Sequence, residues 1–481
     1  MGNSRFFINS GIYVVVSILQ KAISFFLLPL YTAFLTPADY GTLNVVLSLS
    51  SLLSVFFILS LNSAGARFYY KHLDDEQYIK KLWGALSLFV LLNSIVLGFV
   101  FILFHKLLIN PFISDIDFYP LMFLGILNTI VTPLYSFYQT YLQTKQSGFR
   151  FGLNLMLNFL LNVSLIIIFV VVYKKGVLGI LLANVITSSV FLVYVLLAFI
   201  PKIKLSLDSN ILKPAFKYSL PLVPHSLSSW VMVMIDRVFL NNITGKTETG
   251  LYSVGYQFGN IISVINTAIN QAYAPWFFEK EKKDELNQVV KVAELLTVIY
   301  CFLALGISLY SKDILIFMVS PGFRSAWHFI PFISFAYVFS GLYYFFVNVL
   351  FLKQTKWVPI ITFSSAIAGL VLNIILINSI GSIGASISCF ITLLLSSLIS
   401  LLFSLKAHSM RFKYIRMYLY VFLFFILSLS IFIPHSLNQI LFLIIKTLFF
   451  LILFGIFFLL YKKEIIYLKS IISNKFIKHN N

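Results

Sequence analysis

The sequence predicts an all-α integral membrane protein of about 14 transmembrane helices, built as two pseudo-symmetric six-helix lobes with two appended C-terminal helices. Three observations lead there. The 481 residues are 60% hydrophobic and 11% charged, which leaves too little polar surface to cover a water-soluble globule. The apolar residues fall in continuous runs of about 20, whereas a membrane β-barrel needs alternation over roughly ten-residue strands. Helices satisfy their own backbone hydrogen bonds in lipid, so the bundle is helical. The chain also repeats: the polar turn Thr36 to Gly41 has a counterpart at Gly245 to Gly250. Aligning Gly41 with Gly250 gives an offset of 209, which also sets Arg67, Phe68 and Tyr69 opposite Trp276, Phe277 and Phe278. The expected boundaries are a first lobe at 1–205, a second at 206–410, and the appended helices and tail at 411–481.

The first apolar run, 7–33, is interrupted by Lys21 and Pro29. Lys21 lies near the bilayer centre, where a lone lysine costs roughly 2.5–3.5 kcal/mol and should turn into the bundle, unless it snorkels or pairs with a carbonyl. The run is followed by Pro37 and Asp39 and lacks a small-residue cleavage site, so it is expected to stay as a spanning helix. The second, 42–70, ends in Ala64 to Tyr70, where Arg67 either anchors at the headgroups or contacts a substrate. Runs at 82–108 and 118–142 follow, set off by a charged loop, by Pro111 and by the basic turn Lys145 to Arg150.

In the fifth run, 151–173, Asn154, Asn158 and Asn162 are spaced four apart and share one helical face. They read as a wet surface or as bonds between helices. The sixth, 177–200, ends at Pro201, and the basic stretch to Lys217 links the halves. In the seventh, 217–242, Pro221 and Pro224 predict a kink, with His225 beside it. Asp236 and Arg237 lie further out; neighbours on a helix point about 100° apart, so these two need not pair. The eighth run, 250–278, carries Tyr256, Gln257, Asn260, Asn266 and Asn270, and Pro275 predicts another kink.

Runs nine to twelve span 289–311, 325–352, 357–378 and 382–405, with Arg324, Lys353 and Lys356 read as solvated loop charges. The last two, 415–433 and 438–461, have no counterpart in the first half, and Lys446 reads as snorkelling outward. Cys301 and Cys389 sit inside apolar runs, so neither a disulfide framework nor a metal site is expected.

The formal charge of +19 is decided by its distribution. With a cytoplasmic N-terminus, the cytoplasmic connections carry 25 of the 35 Lys and Arg, the opposite side carries 6, and four lie within the runs. That asymmetry is the positive-inside rule, so both termini should be cytoplasmic and nucleic acid is not an expected partner. No P-loop, HExxH, paired-cysteine motif or nucleophile elbow occurs. Connections of at most about twenty residues leave no room for a catalytic domain or ATPase, so the chain is expected to be a carrier and no enzyme. Cations, amides and tyrosines in an apolar bundle suit a substrate with a phosphate or sugar part.

Tyr218 to His225, Ser228-Ser229-Trp230, Asp236-Arg237, Gly250 to Tyr256 and Asn270 to Trp276 resemble the Wzx-type polysaccharide flippases. These O-antigen transporters belong to the multidrug/oligosaccharidyl-lipid/polysaccharide exporter superfamily. The resemblance implies a fold like the multidrug exporters and a flippase in a bacterial inner membrane. Its substrate would be an undecaprenyl-pyrophosphate-linked oligosaccharide, the O-antigen or related unit used for lipopolysaccharide, moved from the cytoplasmic to the periplasmic leaflet. On that reading Arg237, Lys21 and Arg67 meet the pyrophosphate, Asp236 serves structure or proton coupling, and Asn154, Asn158, Asn162, Gln257, Asn260 and Asn270 meet the glycan. No cofactor is expected beyond a coupling H⁺ or Na⁺, and partners would be the bilayer, the lipid-linked glycan and other polysaccharide-assembly membrane proteins. Two rivals stand beside it: a multidrug antiporter, which calls for more intramembrane carboxylates than Asp236, and a membrane polymerase, which calls for a long periplasmic loop.

Overall fold

The structure, a computed structural model, describes residues 25–408, 410, 412–434, 438–462, 464 and 466. Lys21 and most of the first apolar run lie outside the described residues. Among the described residues there is no strand, and 11 helices are long and apolar enough to cross a membrane. The all-helical expectation holds.

Contacts divide the chain into two units. The first takes the described residues through Ser253 together with Ala366–Ala385, and the second takes Val254–Ser365 and the described residues from Ser386 onward. In chain order, the helices used below are α1 Leu28–Phe34, α2 Pro37–Ile58, α3 Leu61–Lys71, α4 Glu76–Leu103, α5 Phe123–Thr144, α6 Gly148–Ile166, α7 Gly176–Ala198, α8 Ser209–Ser219, α9 Val223–Ile243 and α10 Lys246–Gly259. They continue as α11 Ile261–Lys282, α12 Leu286–Leu309, α13 Ser311–Met318, α14 Ile330–Lys353, α15 Trp357–Ile380, α16 Ser382–Ala407, α17 Tyr414–Ser428 and α18 Gln439–Leu460. The division passes through α10, α15 and α16.

Local chemistry sets the helix ends. Thr36 starts α2 with a capping box: its hydroxyl accepts the Asp39 N–H at 3.2 Å, and the Asp39 carboxylate accepts the Thr36 N–H at 3.0 Å. The polar stretch from Thr36 to Gly41 is therefore the first turn of a helix, and Gly245, at φ +92°, ends α9 just before α10 begins. The second apolar run breaks where Leu59 and Ser60 both take left-handed backbone. Asn93 of α4 covers that break, its amide donating to the Phe56 and Phe57 carbonyls at 3.1 and 2.8 Å. Pro221 interrupts the chain as predicted, through a short 3₁₀ turn between α8 and α9. The eighth run divides too, at Asn260, whereas α11 runs unbroken through Pro275.

In the first unit Trp83 is fully buried, edge-on to Phe137 at 6.3 Å and Tyr141 at 5.5 Å, with Gly65 of α3 leaving room for its ring. In the second, α12 is the hub. Phe302 contacts Phe424 of α17 and Phe450, Phe454 and Phe457 of α18, which holds the appended helices in place. Outward faces stay apolar, as on α18, where Leu451, Leu459 and Leu460 are exposed, as a lipid-facing helix requires.

Candidate substrate-contact site

The repeat read from the sequence becomes a helix crossing in the first unit. A side chain added at Gly41 would collide with the Lys246 carbonyl, and one at Gly250 would collide with the Pro37 carbonyl. Pro37 and Lys246 are themselves 209 residues apart, so the contact is reciprocal: each first turn lays its backbone against the glycine of the other. Only glycine allows two helix backbones so near. α2 also runs beside α9, where the buried Trp230 indole donates to the Ser48 carbonyl and the Ser51 hydroxyl, both at 2.9 Å.

That crossing sits next to the most heavily charged buried cluster among the candidate residues. Asp236 and Arg237 are 6% and 4% exposed. They pair, a contact that their separation on the helix left open: Arg237 Nη1 donates to Asp236 Oδ1 at 2.7 Å. The Arg237 side chain folds back one turn, donating also to the Val233 carbonyl at 2.6 Å, and this return brings it beside its neighbour. Asp236 Oδ1 further accepts the Arg237 backbone N–H at 2.9 Å, and Oδ2 accepts the Tyr252 hydroxyl of α10. The guanidinium lies 5.8 Å from the Tyr252 ring centre. Burying two charges is favourable only when their lone pairs and protons are met, and Tyr252 meets the second carboxylate oxygen.

The other candidates are dispersed. Arg67 is exposed and stacks 4.3 Å over the Tyr218 ring of α8, away from the Asp236 cluster. The asparagine row of α6 faces α7: Asn162 donates to Asn184 Oδ1 at 2.9 Å and to Thr187 at 3.4 Å, and Asn154 accepts from Tyr194 at 3.2 Å. These are bonds between helices, the plainer of the two readings. Asn158, between them, is half-buried. Gln257, Asn260 and Asn270 belong to the second unit, where Asn270 accepts from Asn348 of α14 at 2.9 Å. There Tyr256 and Tyr337 share a hydroxyl hydrogen bond and Asn266 donates to the Tyr337 carbonyl at 2.6 Å.

Two charged pairs correct the sequence reading. Lys446 does not snorkel outward; it is 8% exposed and paired with Asp313 of α13. Glu294 on α12, 5% exposed, is a second intramembrane carboxylate, held by Lys413 at 2.9 Å and by the Tyr461 hydroxyl at 3.3 Å. Beside the first pair, burial and then the Lys446 ammonium hold the Lys312 amine below its usual range, and it donates to the Ile431 carbonyl at 2.9 Å. Glu294 was visible as a lone acid in an apolar run; the partners of both acids, more than a hundred residues away, were not.

This fold defines a class. It superposes on a lipid II flippase, MurJ in an inward closed conformation, with a TM-score of 0.73 at 16% identity, covering 96% of this chain and 99% of that one. An inward-facing multidrug resistance transporter of the MATE family, in the MOP superfamily, superposes with a TM-score of 0.57 at 16% identity, covering 82% and 95%. The protein therefore has the fold of the MOP-superfamily transporters. Residues 7–281 match the polysaccharide biosynthesis protein family, and the chain belongs to that family. Its sequence relatives include protein 1 of the Lsg locus of Haemophilus influenzae, 24% identical over 361 residues that cover 72% of this chain and 85% of the relative.

Proposed function

We propose that this protein is a flippase that moves an undecaprenyl-pyrophosphate-linked oligosaccharide, an O-antigen or related repeat unit, from the cytoplasmic to the periplasmic leaflet of a bacterial inner membrane. The observation that carries the reading is the likeness to a lipid II flippase over 96% of the chain, an extent that takes in the appended helices. Membership of the polysaccharide biosynthesis family supports it. Lobes 1–205 and 206–410, with both termini cytoplasmic, would alternate access across the bilayer.

On this reading Arg237, Lys21 and Arg67 attract the pyrophosphate, the amides of Asn158, Gln257, Asn260 and Asn270 meet the glycan, Asn154 and Asn162 join α6 to α7, and the polyprenyl tail stays in lipid. Arg237 is held by Asp236, so the pyrophosphate competes with that carboxylate for the guanidinium. Protonation of Asp236 would weaken the pair and favour the substrate, which offers a route to H⁺ coupling. The antiporter reading gains one intramembrane acid, Glu294, yet Lys413 already neutralises it.

Expression in a bacterium lacking its own O-antigen flippase tests the proposal. Wild type should restore surface polysaccharide, and Arg237→Ala or Lys21→Ala at matched membrane levels should not. If wild type restores nothing across several donor glycans yet lowers sensitivity to cationic drugs, the antiporter reading replaces this one.

A further inference from the structure

In the first unit, where the loop after α3, the C-terminus of α5 and the turn after α7 converge, lies a cavity of about 520 Å³. Three lysines from three separate elements line it: Lys80 in the first turns of α4, Lys145 at the end of α5 and Lys202 beyond α7. Glu76 is the one carboxylate in the lining among the described residues, so the wall carries a net charge of +2. Trp83 and Tyr141 form an aromatic floor, and the indole N–H of the fully buried Trp83 has no hydrogen-bond partner among the described residues. None of the described residues proposed above for substrate contact lines this cavity.

The cavity is built by specific contacts. The Lys204 N–H donates to the Lys80 carbonyl at 2.9 Å, and Gly84 admits the Lys204 carbonyl where any side chain would collide. This pins the segment carrying Lys202 along α4. The Tyr70 hydroxyl donates to the Thr144 carbonyl at 3.1 Å and ties α3 to the end of α5 that carries Lys145. Lys145 Nζ lies 3.4 Å from the Tyr141 hydroxyl, which holds the ammonium over the aromatic floor. The Glu76–Lys80 pair, at 2.9 Å, offsets one of the three lysine charges, and with its side chains 81% and 50% exposed it is a weak surface pair.

We infer that this cavity binds a phosphate group, and that its ligand is the headgroup of an anionic phospholipid. Three lysines on different elements line one cavity, as in a phosphate receptor, and Leu73, lining the cavity while 55% exposed, gives an acyl chain a surface to follow. A soluble phosphate compound shares the headgroup chemistry, and the test separates the two sources.

Purified full-length protein in detergent is incubated with phosphatidylglycerol, with phosphatidylcholine, or with inorganic phosphate. Retained lipid is counted by native mass spectrometry and phosphate binding is measured by calorimetry. Wild type should retain phosphatidylglycerol in preference to phosphatidylcholine. Lys145→Gln/Lys202→Gln should bind it about thirty-fold more weakly, at about one kcal/mol per lysine, and Lys145→Arg/Lys202→Arg should bind like wild type. A Lys106→Gln/Lys175→Gln variant, changed in other loops, should also bind like wild type. Phosphate binding that depends on the same lysines, with no lipid preference, would assign the cavity to a soluble phosphate and overturn the lipid assignment. Equal binding of both ligands by wild type and the glutamine variant would overturn the site altogether.

Discussion

Asp236 accepts three hydrogen bonds on its two oxygens, from the Arg237 backbone, the Arg237 guanidinium and Tyr252, all within a few per cent of full burial. Removing one member of such a pair strands the other charge. Asp236→Ala should therefore cost about 3–5 kcal/mol, read as a lowered thermal-unfolding midpoint in detergent, while Tyr252→Phe should cost only about 1–3 kcal/mol. Asp236→Leu with Arg237→Leu removes both charges and should return stability towards wild type. If that double variant folds yet restores no surface polysaccharide, the Arg237 charge acts beyond holding Asp236. The sequence revealed these residues by depth and charge, but it did not reveal their pairing. Spacing gives the angle between adjacent Cβ atoms and says nothing of a long side chain that doubles back along its own helix. Lys446 shows the same limit, since its partner Asp313 lies 133 positions away and outside any spanning run.

At the scale of the elements, the Gly41 and Gly250 crossing is the feature that sequence and structure share most directly. Its register was legible because the two halves repeat with a fixed offset; its meaning was not, because a glycine beside proline, aspartate and threonine reads as a turn. Gly250→Ala and Gly41→Ala should each destabilise by about 1–3 kcal/mol, by driving a methyl group into a carbonyl of the partner helix. Since both act on one contact, the double variant should lose less than the sum of the singles. Gly245→Ala offers a contrast: nothing lies within 4 Å of its added carbon, and the φ of +92° alone should cost roughly 1–2 kcal/mol. Thermal unfolding of the four variants side by side checks these values. The asparagine row on α6 was legible as one polar face, but whether that face met water or α7 depended on how the helices pack, which periodicity along one helix cannot specify.

Across the whole molecule, hydropathy alone was enough to give the helical membrane class, because a chain this apolar has no soluble alternative. The two appended helices, unmatched in the first half, are fixed within the second unit by Glu294 with Lys413 near one end of α12 and by Asp313 with Lys446 beyond the other. Lys446→Met should lower stability by about 1–3 kcal/mol, discounted for the part-exposed aspartate, and the exchange Asp313→Lys with Lys446→Asp should recover much of the loss. A double-mutant cycle on the unfolding midpoints measures that coupling. The most direct test of the central claim is transbilayer movement itself. Purified protein is reconstituted into phosphatidylcholine vesicles with an undecaprenyl-pyrophosphate-linked oligosaccharide, and the glycan open to a membrane-impermeant oxidant is followed over time. Wild type should bring nearly all of the glycan into reach of the oxidant, while Arg237→Ala and protein-free vesicles should leave the inner-leaflet share protected; protection that persists with folded wild type would contradict the account.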